Sequence, residues 1–269
     1  MEKLNRWMAM HPVLFRILAV ILWVAVGVWW MDLGVPKWLA LLFVAVATYV
    51  YSVYIITADQ RLLKKPLRIL EDQCDPMPLL EECIAQRLYP GNGRQKQMRD
   101  INYAMALRNV GDYEEAYLIL TELNIDKYAA TLPMVKVIYY NNLMDLCELM
   151  GKHQEAIIWY EKLRMMYHDM KPGKQKDRLH HTVQANLGGY HFCKGEYDRA
   201  LHALSETAPR NLSEQVENAM NYARIYLAMG ETEKAIKPLQ FVAEKGNKLY
   251  FATEAKLLLE KINMEETTL

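Results

Sequence analysis

The sequence predicts an all-α protein in two parts: a transmembrane helical hairpin, then an α-solenoid of about four repeated helix pairs with capping helices. Three observations carry this prediction. Two unbroken apolar stretches stand near the N-terminus, at 13–31 and 38–58. Behind them apolar residues recur at intervals of three and four, the helical period, with almost no alternation of the strand type. Finally, a Gly followed five positions later by an Ala returns four times, in GDYEEA (111–116), GKHQEA (151–156), GEYDRA (195–200) and GETEKA (230–235).

Residues 1–60 read as a two-helix membrane anchor. A helix rises 1.5 Å per residue, so about 20 apolar residues cross the hydrocarbon core, and both stretches are long enough. The connection DLGVPK carries Gly34 and Pro36, which suit a tight turn between antiparallel helices. A cleaved signal peptide would have a shorter apolar core and no second span. A channel or transporter would place ionisable groups inside its spans. Neither stretch has Asp, Glu, His or Lys in its middle, so an anchor is expected.

Charge supports the division. Residues 1–68 hold eight Lys or Arg against three acids, an excess of five positive charges, while the whole chain is neutral. The basic residues flank the hairpin: Lys3, Arg6 and Arg16 before it, then Arg61, Lys64, Lys65 and Arg68 after it. Only Lys37 lies in the turn. Positive flanks stay inside, which predicts a cell-membrane protein with both termini cytoplasmic. Trp29, Trp30 and Trp38 would then mark the outer interface and Trp7 the inner one. The cluster RLLKKPLR (61–68) would sit beside anionic headgroups. No stripe of Lys/Arg with interleaved aromatics follows, so nucleic acid is not an expected partner.

Residues 61–93 are expected to form a basic juxtamembrane linker and a capping helix, with Asp75 capping that helix and Pro76 opening it. Residues 94–269 form the helical-repeat region, ending in a closing helix at 249–266. The four cysteines (Cys74, Cys83, Cys147, Cys193) contain no CxxC pair and read as small, reduced apolar residues.

Alignment on the repeated Gly extends the pattern. Nine residues before it stands Asn every time: Asn102, Asn142, Asn186 and Asn221. Seven before it come Ala104, Met144, Gly188 and Ala223; four before it, Leu107, Cys147, His191 and Tyr226; nine after it, Leu120, Tyr160, Leu204 and Leu239. Each unit is a helix, a turn at Gly111, Gly151, Gly195 or Gly230, and a second helix. Small residues, Ala116, Ala156, Ala200 and Ala235 among them, let the two helices approach, and the large ones fill the space between. One pair cannot bury its apolar face alone, so neighbours must stack.

This set of residues resembles the tetratricopeptide repeat (TPR) over roughly residues 94–244. NLGGYHFCKGEYDRA (186–200) is the nearest copy. The copies are spaced 40, 44 and 35 residues apart, against about 34 in that family. The first helices of the second and third copies are therefore expected to start early, near Leu132 and Lys176. The resemblance implies a curved array whose first helices line a concave groove for a protein or an extended peptide. Asn102, Asn142, Asn186 and Asn221 fall on groove positions. A side-chain amide offers a donor and an acceptor, so these residues suit either a peptide backbone or bonds between repeats. Arg224 is placed to meet a carboxylate.

Chemistry is not expected elsewhere. No GxxxxGK[ST], GxGxxG or GxSxG pattern occurs. Glu81/Glu82 and Glu114/Glu115 read as solvent-facing, and His191 and Cys193 project in different directions from a helix, so neither a metal nor a cofactor is implied. The expected role is a membrane-anchored adaptor or scaffold, not an enzyme. A regulatory protein that senses a peptide is the alternative. The short anchor suits a bacterial protein, and a homo-oligomer is compatible with the sequence.

Overall fold

The computed structural model describes residues 2–129 and 133–267. Among them the chain forms fifteen α-helices and no strand. The two apolar stretches become α2 (Pro12–Asp32) and α3 (Lys37–Ile56). Both are long and apolar enough to cross a membrane. Most of their apolar surface faces outward: Val13, Ile21, Trp38 and Leu41 are exposed, as a lipid-facing helix requires and a soluble core helix does not. Gly34 turns the chain at φ 87°. Where the helices cross, a Cβ on Gly27 would lie 2.7 Å from Val44, so only Gly allows this approach.

The sequence did not announce the helix α1 (Glu2–Met10), which packs on α4 (Ala58–Gln73) and α3. Met8, Ala9, Phe15, Ile55, Ala58, Leu62 and Tyr89 form a small buried cluster there. Arg6 donates to Glu82 at 2.6 Å and to the Tyr89 hydroxyl at 2.8 Å. Glu82, expected on a solvent face, is buried and also accepts from the Gln86 amide. Arg99, itself buried, pairs with Asp59 at 3.2 Å and donates to the Tyr89 carbonyl at 2.6 Å. The apolar hairpin thus packs on α1 and α4, and ion pairs tie α1 to Glu82 and α4 to Arg99. Residues 61–93 do not act as a spacer: α4 and α5 (Met77–Arg87) send Leu63, Leu70, Leu79 and Cys83 into the main core.

The repeated pattern becomes four helix pairs: α6 (Gly93–Val110) with α7 (Tyr113–Glu122), α9 (Pro133–Leu149) with α10 (His153–Asp169), α11 (Lys174–Cys193) with α12 (Tyr197–Ser205), and α13 (Leu212–Ala228) with α14 (Thr232–Lys245). A short α8 (Ile125–Ala129) precedes α9, and α15 (Tyr250–Thr267) follows the last pair. The expected early start near Leu132 lies outside the described residues; α11 starts two residues before Lys176. Asn92 and Gln95 form a reciprocal cap at the start of α6. The stretch from Gly91 to Gly93 is therefore a capped helix start.

The four turns are closed alike. Gly111, Gly151, Gly195 and Gly230 all have positive φ, between 70° and 93°. The amide after each Gly donates back to the carbonyl five residues earlier: Asp112 to Leu107, Lys152 to Cys147, Glu196 to His191 and Glu231 to Tyr226. These bonds satisfy carbonyls that a helix end leaves orphaned. Ala104, Ala116, Ala156, Ala200 and Ala235 are wholly buried. A Cβ on Gly188 would lie 2.8 Å from Leu204, so the large residue of one helix fills the place of the missing side chain on the other.

The array also closes on itself. α13 packs on α4, and α15 packs on α6. One core runs from Leu63 through Ile101, Leu143, Met220 and Leu239 to Ile262. The Lys248 amide donates to the Cys74 carbonyl at 3.2 Å, the Asn247 side chain to the Gln73 carbonyl at 2.8 Å, and Lys248 pairs with Asp75 at 2.7 Å. Tyr250 on α15 covers Gly111, where a Cβ would overlap its ring. α4 and α15 therefore tie the last helix pair to the N-terminal end of the array.

Candidate functional site

Closure turns the inner face into a cavity of about 360 Å³, lined from α4, α6, α9, α11 and α13. Its walls are unusually polar for a helical core. Asn142, Asn186 and Asn221, three of the four recurring asparagines, line it. Asn102 does not; α6 contributes Asn109 and Arg108 instead. The reason is register: the residues of α6 that face inward lie near its C-terminal end, one to two turns beyond Asn102.

The amides are partly used within the protein. Asn186 donates to the Asn141 side chain and, at 2.8 Å, to the Thr182 carbonyl. The first of these bonds joins α11 to α9, the inter-repeat role that the sequence left open. Asn142 differs: its Nδ2 is buried and has no partner among the described residues. A buried donor without an acceptor costs about 1–3 kcal/mol, so this position favours an acceptor, a water or a ligand group, from outside the chain. Arg224 is turned away from the cavity. It binds Glu254 of α15 through both carboxylate oxygens, at 2.7 and 2.9 Å, and stands over the Phe251 ring. The carboxylate it meets is the chain's own.

The charged residues of the wall were not singled out by the sequence. Arg108 reaches Asp145 with two N–H groups, at 2.7 and 3.1 Å, and also binds Glu217 across the cavity. Burial alone would depress the guanidinium, but the attraction of Asp145 and Glu217 outweighs it and holds the Arg108 pKa above its usual value. Arg210 is held by Glu214, with its backbone amide and guanidinium both donating.

The Glu148 carboxylate makes no hydrogen bond or ion pair among the described residues. Burial, with Asp145 and Glu217 nearby, pushes its carboxyl up to about 7, against the opposing pull of Arg224 and Arg108. Gly189 of α11 faces it, and a Cβ there would overlap the Glu148 carboxylate. The glycine thus leaves the carboxyl its seat. His181 also lines the wall. Its Nε2 is within 3.0 Å of the Ala208 carbonyl, and its buried Nδ1 has no partner.

These residues share a signal that sequence reading missed. Arg108 and Glu148 both stand three before the turn Gly, and Asp145 and Arg224 both stand six before it. A charge in the apolar C-terminal half of a first helix faces either the cavity or a closing helix.

No three of His, Cys, Asp and Glu gather to hold a metal ion among the described residues. The four cysteines are free and buried. Burial pushes their thiols up, Cys74 to about 11 and Cys83 and Cys147 to about 12, which makes them poor nucleophiles. No family model, curated protein or solved structure matches this chain.

Proposed function

We propose that the chain is a membrane-anchored, TPR-like recognition protein whose cytoplasmic helical-repeat body binds a short segment of a protein or peptide partner. The observation that carries this is the convergence of Asn142, Asn186 and Asn221 on one inner cavity. Equivalent positions in successive helix pairs face the same space, as they do when a repeat array presents a ladder to a ligand. Two outward-facing apolar helices support the anchor, and Lys and Arg on both flanks of the hairpin support cytoplasmic termini.

The size of the cavity favours a short segment over a long extended one, since about 360 Å³ is near the lower end of ligand pockets. Closure by α4 and α15 also favours the sensing role over a passive scaffold. Those helices touch both the cavity-forming pairs and, through α4, the membrane hairpin, so an occupant is linked mechanically to the anchor.

Replacing Asn142 and Asn186 together by Ala is expected to weaken partner capture by the full chain at least tenfold. The melting temperature should fall by only a few degrees, because one inter-helix hydrogen bond contributes about 1 kcal/mol. A large loss of stability with unchanged capture would assign both residues to structure. Protease added outside intact cells should leave the body whole, and its digestion there would overturn the proposed orientation.

A further inference from the structure

We infer that the cavity receives an organic cation, an alkylammonium or guanidinium group seated against Glu148, on a ligand whose carbonyl accepts from Asn142. This rests on the peptide-binding reading and names the side chain that the bound segment presents: Lys or Arg. Counting charges around the wall leads to it. The two cavity arginines are already committed, Arg108 to Asp145 and Glu217, and Arg210 to Glu214. Glu148 is left over inside the cavity, and the exposed Glu71 is left over at its rim. The space is therefore negative, and burial amplifies that field.

An anionic ligand would meet this surplus unfavourably. A metal ion would need several carboxylates at one point, and the others are held apart by their arginines. An extended organic cation needs one carboxylate and one amide, which are what Glu148 and Asn142 offer. Both stand on α9, six residues apart, and the backbone opposite Glu148 is bare at Gly189. The raised pKa of Glu148 fits this picture, because a carboxylate placed to pair with an incoming cation is strained while the site is empty.

The groups that bear on Glu148 are Asp145 on α9, Arg108 on α6, Cys193 on α11, and Glu217 and Arg224 on α13, while His181, Arg210 and Glu214 line the same cavity. The Glu148 contribution is therefore isolated by comparing Glu148→Gln with the unaltered chain. Cation binding requires the ionised carboxylate. Affinity should rise about tenfold between pH 6 and pH 8, as the group passes from mostly protonated to mostly ionised.

The test is calorimetric titration of the full chain in lipid nanodiscs with end-blocked Gly-Lys-Gly, Gly-Arg-Gly, Gly-Gln-Gly and Gly-Glu-Gly, and with free butylamine. The Lys and Arg peptides should bind at least tenfold more tightly than the Gln and Glu peptides. Glu148→Gln should remove that preference and the rise between pH 6 and pH 8. Equal binding of the Gln peptide would overturn the cation and leave the peptide reading standing. Binding of butylamine without any peptide would uphold the cation and overturn the peptide reading. No binding by any probe would overturn both.

Discussion

Glu148→Gln is expected to raise the stability of the empty protein at pH 8 by about 2 kcal/mol, although it removes a charged residue from a proposed binding site. The sign follows from proton linkage. The folded protein holds the Glu148 proton up to about pH 7, whereas the unfolded chain releases it near 4.5. Between these values the folded state binds more protons, so stability falls as pH rises through the window. One pKa unit corresponds to about 1.4 kcal/mol. The side chain is only partly buried, which keeps the figure near the lower end of what the shift allows. Glutamine keeps the shape and cannot ionise. Its advantage should be present at pH 8 and disappear below about pH 4.5. Burial also pushes Glu217 up, so the variant keeps part of the slope, and only the difference between the two proteins reports Glu148. Urea denaturation at pH 4.5, 6 and 8 measures it. A constant difference at all three values would mean that Glu148 is solvated. Gained stability with lost ligand affinity is the usual mark of a binding residue, and a residue that only supports the fold would not show it.

Arg108→Met is expected to have the opposite effect, lowering stability by about 3–5 kcal/mol. Methionine fills much of the same volume and keeps the contact with Phe251, so the loss is electrostatic. Asp145 and Glu217 would be left facing each other in the cavity wall without their cation, and breaking a buried pair by removing one partner costs that much. Because Arg108 on α6 reaches Glu217 on α13, the loss should appear as opening between the first and fourth helix pairs. Hydrogen exchange would detect it as faster exchange in α13 and α15 than in α10. Adding Asp145→Asn and Glu217→Gln to Arg108→Met should restore most of the stability, since no unpaired charge then remains. A triple variant as unstable as the single one would show that Arg108 acts through packing.

Local rules made much of this fold legible. Apolar stretches at 13–31 and 38–58 read as long helices, and the chain forms two there, each long and apolar enough to cross a membrane. The recurring Gly had to adopt a positive φ, and the Ala five residues later had to be buried, because two helices cannot otherwise meet across a turn of two or three residues. Closure was not legible. It depends on Lys248 meeting Cys74 and Asp75, more than 170 positions earlier, and on Tyr250 covering Gly111. No periodicity encodes such pairs.

The site was legible in part for the same reason. Asn142, Asn186 and Asn221 were found by repetition. Asn102 sits at the same repeat position but misses the cavity, because the inward-facing residues of α6 lie nearer its C-terminal end. Arg224 occupies a groove position, yet its carboxylate is Glu254 on the closing helix. Arg108, Asp145, Glu148 and Glu217 share positions relative to the turn Gly at most in pairs, and not one residue type among them recurs at its position in every repeat. Their roles come from which unlike residues the closed array brings together.

The central claim is that closure, and the most direct measurement of it is a cross-link. Asp75→Cys and Lys248→Cys together, oxidised in native membranes, should form an intramolecular disulfide rapidly and in high yield. The native thiols, all buried, should stay unmodified, and the linked protein should melt no lower than the reduced one. Failure to link, or links only between separate chains, would mean that the array is an open spring, and the cavity with its Glu148 and Asn142 would go with it.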